Sequence, residues 1–336
     1  MCSTNVPAVS IILPVYNRAS FLASAFESIR NQEFNNWELI VVDDGSTDDT
    51  HAIVRDFACS VPHAVRYYHQ ENQGPAAARN LGIDKAKGSY CAFFDSDDTW
   101  LPMHLARSVR TLESEPALDW VFAPTKGVDD RDDVQWSNSF YCDGVPRAFL
   151  RLRSYAAAEA RVIDDPTCLD VALAESFEAG LQTSVLRRKV FDTIRLPNFR
   201  IGEDQAFLLL AIGRGFRIGY FDTVSVIYRC HDSNVSASSP SKTPTERAAI
   251  SATLAQALDH VATETPLNRR QRRILYRRIA DIYAWQAGYP LLETRQYKAA
   301  CSYFRCALRR RPTSAAYWKT YIKLKVLRLW HEFARS

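Results

Sequence analysis

Phe93-Phe94-Asp95-Ser96-Asp97-Asp98-Thr99-Trp100 decides how the rest of the chain is read. A run of strand-forming residues, Tyr90 to Phe94, ends abruptly in three carboxylates within four positions. A buried strand cannot carry those charges, because an unpaired ionised carboxylate in an apolar setting is very costly. They are therefore expected at the exposed end of a strand, repelling one another until a cation arrives. Hard oxygen ligands with open positions suit Mg²⁺ or Mn²⁺, and such cations also bind substrate phosphate. A plainer reading, an acidic turn capping the helix after Trp100-Leu101-Pro102, fits any Asp-Ser-Asp taken alone.

Working outward, residues 9–15 and 37–42 are short apolar runs that read as buried strands, with a third strand over 65–69. Between them, residues 19–32 place Phe21, Leu22, Ala25, Phe26 and Ile29 on one helical face. Thr47-Asp48-Asp49 has the chemistry of a helix start, and Gly74-Pro75 opens an alanine-rich helix over 76–86. This β-α-β-α-β-α-β alternation predicts an α/β fold with a mostly parallel sheet and flanking helices. In such sheets ligands bind beyond the carboxyl ends of the strands. Tyr16-Asn17-Arg18, Asp43-Asp44-Gly45-Ser46 and Asp95-Ser96-Asp97-Asp98 all fall there. No Gly-x-Gly-x-x-Gly follows the first strand and no P-loop is present, so NAD and ATPase readings fall away.

The eight cysteines are scattered, with no Cys-x-x-Cys and no His partner spacing. Zinc and disulfide frameworks are not expected, and a reducing cytoplasm fits. Residues 1–5 lack the features of a signal peptide, and no apolar run reads as a membrane span. The Asn234-Val235-Ser236 sequon is then irrelevant. The net charge of +4 hides an asymmetry. From residue 265 onward 17 Lys and Arg stand against 3 Asp and Glu, a net +14, which leaves −10 on the first 264 residues.

Four stretches carry a resemblance. They are residues 9–17 (VSIILPVYN), 41–48 (VVDDGSTD), 74–82 (GPAAARNLG) and Asp95-Ser96-Asp97-Asp98. In this order, over roughly a hundred residues, they resemble glycosyltransferase family 2. The resemblance implies a GT-A (Rossmann-like) fold, a nucleotide-diphosphate sugar donor and an inverting single displacement. It also implies roles. Pro14 and Tyr16 match residues lining the nucleoside pocket, and Asp44 one that accepts a hydrogen bond from uracil. Arg79 matches a basic residue near the nucleotide, Asp95 a group near the ribose and metal, and Asp97 the metal ligand. Strand-end packing is the plainer reading of Pro14 and Tyr16, and an exposed pairing with Glu71 that of Arg79.

Further on, residues 118–123 read as a strand, and residues 129–133 as a solvated acidic loop without calcium-loop spacing. Residues 137–178 read as irregular. Residues 180–188 loosely resemble the family's segment under the sugar pocket. The Glu203-Asp204 pair matches the family's catalytic-base motif, with the base at Asp204 and Glu203 raising its pKa; helix capping is the alternative. Tyr228-Arg229-Cys230-His231 resembles a late element in which His231 would sit at the metal and the departing diphosphate. Its alternative is a loop His with an ordinary hydrogen bond.

Residues 233–245 read as a linker, so residues 1–240 are expected to form the GT-A domain and 241–336 a basic helical appendage. Helices are expected over 246–261, 269–286, 295–309 and 315–333, with one tetratricopeptide-like unit over 297–312. Arg309-Arg310-Arg311, Lys319, Lys323, Lys325 and Arg328 interleave with Tyr317, Trp318, Tyr321, Leu324, Leu327 and Trp330. That pattern suits a helix lying on an anionic membrane; a solvated basic face is the plainer reading, and no motif supports nucleic acid. The expectation is an inverting, metal-dependent transferase using a UDP-sugar, acting on a surface glycan or lipid-linked saccharide, cytoplasmic and peripheral at the inner face of the membrane. A non-catalytic nucleotide- or glycan-binding scaffold of the same fold is the alternative.

Overall fold

The structure, a computed structural model, describes residues 6–232, 234 and 242–333. The readings of residues 1–5, of the sequon and of most of the 233–245 linker lie outside the described residues. The chain opens with β1 (Val9–Val15), α1 (Ala19–Arg30), β2 (Trp37–Asp43), α2 (Thr50–Ser60), β3 (Val65–His69), α3 (Pro75–Lys85) and β4 (Tyr90–Phe93). All seven residues of β2 are buried, which is why residues 39–42 read as a continuous apolar run rather than an alternating one, while the buried Glu38 is paired, accepting from Ser10 Oγ at 2.6 Å. Successive residues of β1 serve opposite layers. Ile11 and Leu13 face the side holding Leu22, Phe26 and Ile29 of α1, while Ile12 faces the layer containing Ile83 of α3. Gly82 permits that approach, since a Cβ there would lie 2.5 Å from Ile12 Cγ2.

After β4 come β5 (Thr99–Trp100), α4 (His104–Ser114), β6 (Trp120–Phe122), β7 (Thr125–Asp129) and β8 (Val134–Trp136). Residues 137–178 are not irregular. They form a ribbon, β9 (Tyr141–Cys142) and β10 (Val145–Pro146), a hairpin, β11 (Ser154–Ala157) and β12 (Ala160–Ile163), and α5 (Cys168–Ala174). The hairpin turn places Ala158 at φ +48°, a conformation usually marked by Gly or Asn, so the usual turn signal was missing. The acidic stretch 129–133 is likewise a hairpin turn, joining β7 to β8. Asp129 Oδ1 accepts from the Arg131 and Asp133 N–H groups at 2.9 and 3.0 Å.

The domain closes with β13 (Ser184–Arg187), α6 (Glu203–Gly213), β14 (Ile218–Phe221) and β15 (Val226–Cys230). The main sheet has the order β11-β12-β14-β6-β13-β4-β1-β2-β3. All its strands but β12 and β13 run the same way, so the sheet is mostly parallel, with helices packed on it. A second sheet, β5-β15-β7-β8, stands at its carboxyl edge.

Beyond it lie α7 (Pro244–Glu264), α8 (Arg269–Asp281), a π-helical segment Ile282–Gly288, α9 (Tyr289–Glu293), α10 (Tyr297–Arg310) and α11 (Ala315–Phe333). Capping boxes start α7 (Thr243 with Glu246) and α8 (Asn268 with Gln271). Leu258 and Val261 of α7 and Leu275 and Ile279 of α8 share one apolar core with Trp120 and Phe207. Phe304 of α10 and Tyr317 and Leu324 of α11 instead close over Ala284 and Ala287 of the π segment.

A candidate active site at the carboxyl edge of the sheet

The ends of β1, β2 and β4 open into a cleft of about 1400 Å³. Pro14, Tyr16, Asp44, Arg79, Asp95, Asp97, Asp204 and His231 all line it. Residues more than two hundred positions apart therefore meet at one surface, as the crevice rule for such sheets requires.

The three acids after β4 do not share one exposed cluster, as expected from the sequence; each has its own partner. Asp95 Oδ1 accepts from Arg79 Nη2 at 2.7 Å. Asp97 Oδ2 lies 3.1 Å from His231 Nε2 and 3.8 Å from Arg18 Nη2. Asp98 is buried, and its Oδ1 accepts from the Arg229 N–H at 3.3 Å. The separation follows from a turn, closed by Asp98 N–H donating to Asp95 C=O at 3.0 Å, that sends successive side chains in different directions. Burial and then the Asp97 and Asp95 charges push the Asp98 pKa well above the usual carboxylate range. For Asp97 burial acts upward too, but the His231 hydrogen bond and the Arg18 charge prevail and hold it low. His231 reaches Asp97 because β15 pairs antiparallel with β5, Val226 opposite Trp100, and so runs back past the acidic turn.

Asp44 is buried at the end of β2. Its Oδ1 accepts from Gln70 Nε2 at 2.7 Å and Gln73 N–H at 2.8 Å, and its Oδ2 from Gly74 N–H at 2.8 Å. These use three of roughly four lone-pair sites, leaving one for a ligand donor. Tyr16 is 45% exposed at the rim, beyond Pro14 on β1, so strand-end packing does not explain it.

Arg79 is buried, which removes the exposed pairing with Glu71. Besides Asp95 it donates through Nη1 to Glu203 Oε1 at 2.8 Å. One guanidinium thus ties the acidic turn after β4 to the first turn of α6, whose Glu203 lies 124 positions beyond Arg79. Burial pushes Glu203 up to about 7, against the Arg79 charge that lowers it. Asp204, next on α6, stays partly open to the cleft. Its pKa is raised, with burial rather than the neighbouring Glu203 as the leading cause; the Gln205 N–H at 2.7 Å and the Arg79 charge oppose it. Gly202 sets the entry to α6 at φ +79°, and a Cβ there would stand 2.6 Å from Leu254 Cδ1 of α7.

Residues 10–171 match the Glycosyl transferase family 2 model. These residues, just under half of the chain, are a glycosyltransferase family 2 region. The chain's similarity to TuaG of Bacillus subtilis, named as a teichuronic acid biosynthesis glycosyltransferase, is 29% identity over 231 residues, 68% of this chain and 82% of that protein. An uncharacterised glycosyltransferase of Rickettsia bellii is 40% identical over 117 residues, 35% of this chain; this stretch spans about a sixth of that protein's length, 16%. In structure the chain resembles S. aureus TarS 1–349 in complex with UDP (TM-score 0.61, 20% identity, 96% of this chain and 87% of that one). It also resembles the mannosyltransferase PcManGT of Pyrobaculum calidifontis, solved with GDP-Man and Mn²⁺ (TM-score 0.58, 19% identity, 96% and 86%). The fold is that of GT-A glycosyltransferases, with C-terminal helices added.

For a family 2 enzyme the donor set at the acidic turn can be tested against a divalent cation. Among the described residues no three His, Cys, Asp or Glu side chains converge to form a complete cage. Asp97 and His231 form a pair, one carboxylate and one imidazole at the cleft wall. That pair fits Mn²⁺ or Mg²⁺ if phosphate oxygens and water complete the shell, the usual arrangement for metals bound with substrate phosphates. Asp95 is engaged by Arg79 and stands outside the pair.

Three contributors were missed. In sequence Arg18 belongs only to a polar strand-end cluster; its proximity to Asp97 depends on the loop geometry after β1. Glu203, expected to raise the Asp204 pKa or to complement the helix start, is the Arg79 partner. Arg278 of α8 lines the cleft and donates through Nη2 to Gln205 Oε1 at 2.5 Å, beside Asp204. It sits in a run of six arginines spread over residues 269–278 with nothing to single it out.

Proposed function

We propose that the protein is an inverting glycosyltransferase that moves a sugar from a nucleotide-diphosphate donor, with uridine as the nucleoside, to a surface glycan or lipid-linked saccharide. The observation that carries this reading is one cleft with Asp97 and His231 at one wall and Asp204 at another, the walls joined by Asp95–Arg79–Glu203. Tyr16, Pro14 and Asp44 hold the nucleoside at the ends of β1 and β2. Asp204 accepts the proton of the acceptor hydroxyl while its oxygen bonds to the anomeric carbon and the bond from that carbon to the diphosphate breaks. Attack from the side opposite the leaving group inverts the anomeric centre. When bound at Asp97 and His231, Mg²⁺ or Mn²⁺ supplies positive charge against the departing diphosphate. Arg18, beside Asp97, adds a further positive charge to the same wall.

The UDP of the TarS complex, the GDP-Man and Mn²⁺ of the PcManGT complex and the teichuronic acid name of TuaG support the donor, metal and polymer classes. No described helix is long and apolar enough to cross a membrane. We place the protein at the cytoplasmic face, in contact with anionic lipid through its basic C-terminal helices, residues 241–336, and without a nucleic-acid partner.

The test is a thermal-shift screen of nucleotide sugars with and without Mn²⁺, followed by turnover with the donor that shifts. A metal-dependent rise in Tm with one nucleotide sugar, absent in Asp97→Ala, is expected, since a ligand that binds only the native state stabilises it. Folded protein that no nucleotide sugar shifts would overturn the reading.

A further inference from the structure

α11 is apolar on two opposite faces. On a helical projection of about 100° per residue, its buried side chains Tyr317 and Leu324 lie together, about 20° apart, and face α10 and the π segment. A second apolar sector, centred about 170–180° away, points outward. It holds Trp318 (45% exposed), Ile322 (58%), Val326 (60%), Leu329 (66%) and Trp330 (70%), five large apolar side chains left exposed among the described residues. A packed helix with a merely solvated basic face would carry polar residues there.

We propose that this outward face of α11 docks on an anionic lipid bilayer, with the helix lying in the plane of the surface. Three observations select that occupant. First, the order around the helix is that of an interfacial element. Trp318 and Trp330 stand at the two margins of the apolar sector, with Leu329, Ile322 and Val326 between them. Second, exposed lysines border the sector on the same projection: Lys325 falls about 20° outside Trp318, Lys323 about 20° outside Trp330, and Lys319 between Val326 and Trp330. Tryptophan at the headgroup level and lysine amines reaching phosphates are what a bilayer interface favours. Third, charge opposes the obvious rival. A second copy docked on this face would bring two lysine-rimmed sectors together within a segment of net +14. An anionic surface instead attracts each basic side chain. α11 does not meet the requirement for a membrane-crossing helix, so it lies on the bilayer rather than through it.

This deepens the membrane contact of the proposed function, and its test needs neither donor nor turnover, so its failure and the failure of the transferase reading are told apart. The full chain is floated with phosphatidylcholine vesicles and with vesicles that also contain phosphatidylglycerol. Binding to the anionic vesicles, weakened by salt, is expected. Val326→Asp with Leu329→Asp should reduce partitioning by about tenfold or more, with helix content and Tm kept because both sites are exposed. Replacing Lys319, Lys323 and Lys325 by Gln should reduce it by about a hundredfold, at about 1 kcal/mol for each lysine. Wild-type protein that stays with the buffer, or Asp variants that float unchanged, would overturn the proposal. So would a wild-type dimer that the Asp variants convert to monomer without any vesicle binding, which would make the face a contact between copies.

Discussion

Arg79 shows most directly how side chains organise this site. Its guanidinium is enclosed between Asp95 and Glu203, and removing it would leave two carboxylates facing each other without a counter-charge. Breaking one partner out of such a group typically costs 3–5 kcal/mol, so Arg79→Ala should lose about that much in urea unfolding. Arg79→Lys, which cannot span both acids with one planar fork, should recover only part. As the proposed base, Asp204 should act on rate instead. Asp204→Asn should lower kcat by about a thousandfold while keeping the nucleotide-sugar thermal shift, which separates loss of a base from loss of binding. Since burial raises the Asp204 pKa, the acid limb of kcat/KM should lie above the ordinary carboxylate range. Activity should fall as the pH drops through that raised value, a profile measurable without any variant.

At the scale of elements, two junctions carry predictions. The entry to α6 needs Gly202 both for its positive φ and for the close approach of α7. Gly202→Ala should destabilise by about 1–3 kcal/mol, and adding Leu254→Ala should relieve only the steric part, because the backbone strain stays. The start of α4 buries His104, whose Nδ1 lies 2.9 Å from Ser225 Oγ. Burial, assisted by the Arg107 charge, lowers its pKa to about 3 from 6.5. Between those values the unfolded chain binds a proton that the native state refuses. Stability should therefore rise with pH across that window and be lost as pH falls through it. In His104→Asn the slope of the urea midpoint against pH should flatten by about one proton.

Over the whole molecule, the helices after residue 243 are continuous with the catalytic half. α7 and α8 place Leu258, Val261, Leu275 and Ile279 in the core that contains Trp120 and Phe207 of the sheet and α6. Residues 1–240 expressed alone should therefore bind a hydrophobic dye and lack a cooperative thermal transition. A cooperative fragment would show that the expected division at residue 240 is one of folding as well as of charge. Arg278 gives the same coupling a chemical side, since α8 sets a guanidinium against Gln205, one residue from Asp204.

By itself the sequence determined the alternation of β1 to β4 with α1 to α3, the acidic and polar strand ends, and the family they resemble. Those features are local: burial on both faces forces largely apolar runs, and unpaired charge can only stand where a buried strand ends. Tertiary structure alone decided which acid faces which partner. Asp95, Asp97 and Asp98 look alike in a row, but Arg79, His231 and the Arg229 backbone separate them, and each of those partners arrives through packing or strand pairing at long range. It likewise decided that α11 would leave an apolar sector outward, because periodicity shows which residues share a face but not which face the protein covers.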